Sequence, residues 1–226
     1  MTKPKFFYGY VITASGFMIW MFGFGTFTTV FSIFFKPLLI EFGWSRAEMA
    51  LAITLSTIVQ AFMIIVVGGL TDKLGPRIVV TALGSFLGIS YLLLSRVTAL
   101  WQFQLSYALV GAVGVSVLAV PVMATVSRWF VKARGFMSGI VQAGLGIGGI
   151  LFSPLSGWLI LGYGWRTAYV VLGTLTLGGI IISGLFLRRD PREMGLQPDG
   201  DIEEPITSEN PKHTIDVMDG MPFRSL

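Results

Sequence analysis

The apolar positions of this chain gather into six long runs separated by short polar interruptions. The runs lie near Tyr10–Phe35, Ala47–Leu70, Ile78–Leu94, Phe103–Val126, Phe136–Leu161 and Thr167–Phe186. A helix needs about 20 mostly apolar residues to cross a bilayer core roughly 30 Å thick, and each run approaches or exceeds that length. None carries the polar face that a helix on the surface of a soluble bundle presents. The pattern therefore predicts six transmembrane helices. The interruptions hold turn formers and charge: Lys36-Pro37, Asp72 to Arg77, Arg96, Arg128 to Arg134, and Gly162 to Arg166. The first run is too long for the core of a signal peptide, and no small-residue cleavage site follows it. Beyond Asp190 the pattern stops, and the last 37 residues contain five prolines and no spanning run. The chain thus reads as a six-helix transmembrane bundle over 1–189 and an acidic linker or tail over 190–226, expected to be flexible.

Composition agrees. Of the 226 residues, 54% are hydrophobic and 12% charged, where soluble domains carry about 25% charged. The net charge of +4 conceals a division. Residues 1–189 hold 13 Lys/Arg and 3 Asp/Glu, while residues 190–226 hold 3 and 9. The cations lie scattered between apolar runs, so no basic face for nucleic acid is expected. With the N-terminus inside, ten cations fall on inner segments and four (Lys36, Arg46, Arg96 and Arg166) on outer ones. That bias predicts that both ends lie in the cytosol. Cysteine is absent and the one histidine, His213, stands in the tail. No zinc site, no Ser-His-Asp set and no phosphate-binding loop can be assembled, so neither an enzyme nor a metal or other cofactor is expected.

The chain also repeats itself. Gly68 and Gly75 are seven apart with Arg77 two further on, and Gly157, Gly164 and Arg166 follow the same spacing 89 residues later. Near that offset, Arg46 to Ala50 echoes Arg134 to Ser138. Three helices repeated once give copies of opposite orientation, and inverted repeats of this kind are built into many transporters. Small residues recur every fourth position in Gly135, Gly139 and Ala143 and in Gly144 and Gly148, which lets helices pack closely.

The segment Gly68-Gly69-Leu70-Thr71-Asp72-Lys73-Leu74-Gly75-Pro76-Arg77 resembles the loop signature of the major facilitator superfamily, G-x-L-x-D-[RK]-x-G-x-[RK], at every fixed position. Phe34 to Leu38, Phe42 to Arg46, Ser127 to Phe130, Arg134-Gly135 and Tyr163 to Ala168 resemble the monocarboxylate-porter branch and its bacterial relatives, including oxalate/formate antiporters. Asp190-Pro191 to Met194-Gly195-Leu196 resembles the start of that family's linker. The resemblance implies an all-α membrane protein, with six transmembrane helices as a 3+3 inverted repeat forming the N-terminal half of a twelve-helix fold. It implies a secondary active transporter of the plasma (inner) membrane that moves a small organic anion such as a monocarboxylate by alternating access, with or without protons. The expected partners are the bilayer, the anion, and a missing C-terminal half or a second copy. A half-size membrane module that assembles with a partner half, without transporting alone, is the alternative.

Site residues follow from the same resemblance. Gly68, Asp72, Lys73, Gly75 and Arg77 form the gating motif, in which the Asp helps close the inner side. Arg128 and Arg134 are partner charges at the same face. No Asp, Glu, Lys, Arg or His lies mid-run, where an ionisable residue would mark a substrate or proton site. Thr29 stands where animal monocarboxylate transporters have a helix 1 lysine, Tyr107 where drug-transporter relatives have an arginine, and Ala119 where bacterial relatives have a tyrosine. The remaining cavity candidates are neutral: Thr28, Thr29, Ser32, Gln60, Tyr107, Ala119, Gln142 and Leu145. Hydroxyls and amides bind a carboxylate without a charge.

Overall fold

The structure, a computed structural model, describes residues 7–113 and 115–198, with the side chains of 28–30 and 115–117 outside that description. The elements are α1 (Gly9–Phe42), α2 (Arg46–Leu74), α3 (Pro76–Leu94), α4 (Leu100–Val113), α5 (Val115–Trp129) and α6 (Arg134–Leu185), then a short 3-10 helix, Pro191–Met194. Among the described residues, five helices are long and apolar enough to cross a membrane, α4 and α5 counting together as Leu100–Trp129.

Local chemistry sets the ends of these helices. Ser45 and Glu48 form a capping box at the start of α2: the Ser45 hydroxyl accepts from the Glu48 N–H at 3.2 Å, and the Glu48 carboxylate accepts from the Ser45 N–H at 2.8 Å. Gly43 closes α1 in the left-handed region, at φ 66°. Gly75 ends α2 at φ 81°, ψ 159°, and Pro76 opens α3 directly. Pro lacks the N–H that a first helical turn cannot pair anyway.

One expectation is corrected and two regions gain detail. Lys36-Pro37 is not a gap; α1 runs through it for five more residues, to Phe42. A single proline removes one backbone bond, and the left-handed residue that stops the helix is Gly43. The break expected at Gly162 to Arg166 is present, as a kink between two helices. Only Gly164 leaves helical geometry, at φ 81°, ψ 161°, and it divides α6 into two helices. Trp165 stands where Pro76 does in the earlier copy, so the backbone N–H is kept and the helical bonding is less disrupted. The segment that follows α6 stays on the bundle for its first residues. The Asp190 carboxylate accepts from the Arg192 N–H at 2.9 Å, Pro191 is buried and Leu196 packs on the core. Residues 199–226 lie outside the described residues.

α1 packs most extensively against α6, α3 against α6, and α2 against α4. The α1–α6 seam is backbone-close because glycines line it. A Cβ built on Gly148 would fall 2.5 Å from the Met21 carbonyl oxygen, and one on Gly144 would fall 2.4 Å from that of Phe17. Aromatic side chains fill the rest of the interior: Trp20 stacks on Phe24 at 4.1 Å and Phe34 meets Tyr169 at 4.1 Å. Buried hydroxyls bond back into their own helices, as Thr71 does to the Val67 carbonyl at 2.7 Å and Thr125 to Pro121 at 2.7 Å. This satisfies polar groups where lipid offers no partner.

Two sets of contacts define the ends of the bundle. At one, the Tyr8 hydroxyl donates to the Phe186 carbonyl at 2.9 Å, the Trp129 indole donates to the Arg188 carbonyl at 3.0 Å, and Asp72 meets Arg128. The start of α1 and the residues following α6 therefore share one end. At the other end, Glu41 meets Arg166, Trp44 packs on Phe103 at 5.6 Å, and the Gln104 amide donates to the Glu48 carbonyl at 3.2 Å.

Candidate functional site: the glycine-flanked corner and the bundle interior

The corner between α2 and α3 is shaped by its residues in order. Gly68 and Gly69 sit on the outer face of α2, with open space where a Cβ would stand. Asp72 follows in the last turn of α2, Gly75 breaks the chain direction, and Arg77 lies in the first turn of α3. The Asp72 carboxylate accepts from Arg128 Nη2 at 3.3 Å, joining the end of α2 to the end of α5. The Asp72 side chain is 71% exposed and that of Arg128 33%, so the pair is solvated and contributes at most about 1 kcal/mol as it stands. Among the expected partner charges, Arg128 is the one drawn to Asp72. Lys73, Arg77 and Arg134 are exposed at the same end.

The cavity candidates separate by burial. Ser32 and Gln142 are exposed, whereas Gln60, Ala119 and Leu145 are half-buried. Tyr107 is fully buried among Phe27, Phe31 and Phe103, with ring centroids 5.5 to 6.2 Å away. The side chains of Thr28 and Thr29 lie outside the described residues.

Two polar groupings had no local signal in the sequence. Inside the bundle, the Thr176 hydroxyl donates to that of Thr26 at 3.4 Å, and the buried Trp20 indole N–H has no hydrogen-bond partner among the described residues. At the end opposite Asp72, the Glu41 carboxylate accepts from the Trp165 indole and from Arg166 Nη1, the latter at 2.8 Å. The Arg166 guanidinium lies 4.3 Å from the centroid of the Trp165 ring. This cluster ties the last turn of α1 to the residues just after Gly164. Glu41→Gln keeps the shape but removes the charge that holds two donors. Both side chains of the ion pair are part-exposed, so the expected loss is about 1 kcal/mol of stability. Thermal unfolding checks it: the gap between parent and variant should narrow at high salt, and a salt-independent gap would exclude the ionic account.

Comparison with known proteins agrees with this arrangement. Residues 13–213 match the model of the Major Facilitator Superfamily. Monocarboxylate transporter 13 of Rattus norvegicus is 30% identical over 181 residues, covering 80% of this chain and 42% of the relative. The oxalate:formate antiporter of Oxalobacter formigenes is 32% identical over 164 residues, covering 73% and 39%. Riboflavin transporter RibJ of Trypanosoma brucei brucei is 27% identical over 208 residues, covering 89% and 38%. The chain spans less than half the length of these curated relatives. It belongs to the Major Facilitator Superfamily, with relatives in the monocarboxylate and oxalate/formate branch.

Proposed function

We propose that this chain is the N-terminal half of a secondary active transporter that moves a small organic anion, such as a monocarboxylate, by alternating access. The observation that carries this reading is the intact Gly68-to-Arg77 motif with Asp72 paired to Arg128. A solvated ion pair between two helix ends forms and breaks at little cost, as a gate at a bundle mouth must. The fold in this reading is a 3+3 inverted repeat. Its support is that Gly75 and Gly164, 89 residues apart, adopt the same uncommon geometry, φ 81° with ψ 159° and 161°. The kink at Gly164 divides α6 into stretches of 30 and 21 residues, each long enough to cross a bilayer core once.

The cation-rich end, and with it both described termini, faces the cytosol of a plasma (inner) membrane, following the Lys/Arg bias. The anion binds at the bundle face through neutral groups: Ser32, Gln60 and Gln142, with Thr28 and Thr29 on α1. Tyr107, Ala119 and Leu145 shape that face from behind. Two relatives support the substrate class through their names, a monocarboxylate transporter and an oxalate:formate antiporter.

A second reading, a half-size module that works with a partner half or second copy, draws on α2. Only 17% of its most apolar window is buried, and Ile58, Phe62 and Ile65 are bare. Both readings are tested by reconstituting this chain into vesicles, alone and fused to the reading frame following the codon for Leu226. Uptake of labelled monocarboxylates only by the fused form supports the first; uptake by the chain alone supports a self-assembled half. Asp72→Ala should slow uptake by at least tenfold while leaving thermal unfolding within about 1 kcal/mol of the parent. No uptake across a panel of organic anions by either form would sink the transport reading.

A further inference from the structure

At the cation-rich end, a cavity of 270 Å³ opens between the α2–α3 corner and the residues that follow α6. Its walls carry four cations (Lys73, Arg77, Arg188 and Arg189) and one carboxylate, Glu193. Among the described residues, none of the four is ion-paired. Asp72, next in sequence to Lys73, is engaged with Arg128. Asp190, next to Arg189, turns its carboxylate onto the Arg192 N–H. Four like charges about one space repel each other, with Glu193 the one acid among the lining residues and the two acids adjacent in sequence used elsewhere.

The cavity is also continuous with an apolar track. Ile78, 58% exposed, stands on its rim, and Phe86, Ile89 and Leu93 are exposed above it on α3. Positions 78, 82, 86, 89 and 93 repeat with the helical period, so they form one stripe rising from the cavity along the helix. A free phosphate would have use for the cations alone. A phospholipid would use both the cations and the stripe.

We propose that this cavity binds the phosphate of an anionic phospholipid headgroup, held by Lys73, Arg77, Arg188 and Arg189, with an acyl chain along the exposed stripe of α3. The site shares Lys73 and Arg77 with the gating motif, but lipid retention needs neither a substrate nor uptake, so the two readings can fail separately. Each cation near an anionic lipid surface is worth roughly fivefold in binding, so removing two weakens it by about twenty-five-fold.

The test is native mass spectrometry of the full chain in a neutral detergent, titrated with phosphatidylglycerol, phosphatidylcholine or inorganic phosphate. Phosphatidylglycerol should be retained well above phosphatidylcholine. R188Q/R189Q should lose about twenty-five-fold of that retention, while R46Q/R96Q, which removes equal charge at the opposite end, should keep it. The Arg188 carbonyl that receives Trp129 is untouched by the substitution. If the double variant does not fold, R77Q alone should lose about fivefold. Equal retention of the two lipids, or equal loss in the control pair, overturns the proposal. Displacement of phosphatidylglycerol by inorganic phosphate that itself stays bound overturns the lipid assignment in favour of a soluble anion.

Discussion

Gly148→Ala is expected to lower the stability of the bundle by about 1–3 kcal/mol, the range for overpacking a close contact. The added methyl would meet the Met21 carbonyl oxygen at 2.5 Å and the Gly25 Cα at 2.8 Å. Both obstacles are backbone, so no rotamer change relieves them, and α1 and α6 must move apart along the most extensive seam of the fold. The neighbouring Gly146 has nothing within 4 Å of a built Cβ. Gly146→Ala should therefore gain up to about 1 kcal/mol from helix propensity. Thermal unfolding of the two variants side by side checks this. Equal midpoints would mean that the seam is looser than the contacts describe.

This contrast assigns two faces to the glycine-rich part of α6. Gly144 and Gly148 are spent on α1. Gly135, Gly139, Gly146 and Gly149 have open space beside them. The repeating small residues were visible in the sequence, but their division between an inner and an outer face was not. Both faces carry the same residue type, and only the partner helix tells them apart.

Other features divide in the same way between local and distant causes. The six apolar runs were legible because each is a long local average, and the Ser45–Glu48 cap because its two residues are three apart. Lys36-Pro37 was misread because charge and proline together imitate a helix end. The helix passes through because the residue able to stop it, Gly43, lies further on. The break within Gly162 to Arg166 was legible from its two glycines, but not that a single torsion, at Gly164, makes it. Glu41 and Arg166 are 125 residues apart, and no local pattern marks one as the other's partner. Tyr107, placed by analogy at a cavity, is enclosed by rings from α1 and its own helix, a packing fact that only the fold supplies. Asp72 and Arg128 lie between these cases. Each was marked by a motif, and the bond between them came from the meeting of two helix ends.

Gly164→Ala carries the other large effect. At φ 81°, ψ 161° the backbone occupies a region that is essentially open to glycine alone, and an L side chain there costs about 1–3 kcal/mol. Open space surrounds the position, so the cost comes from the torsion and not from a clash. Gly75, with φ 81°, ψ 159° and equally open surroundings, should respond to Gly75→Ala by a similar amount if the two breaks are one structural device used twice. The variant has an escape that separates the explanations. By straightening at residue 164, α6 would relieve the torsion but swing Trp165 and Arg166 away from Glu41. Glu41→Gln would then have little left to remove. In a double-mutant cycle, Gly164→Ala and Glu41→Gln should therefore couple, their combined cost falling short of the sum by about 0.5 kcal/mol or more. Strict additivity would mean that the break at Gly164 does not position the cluster at Glu41.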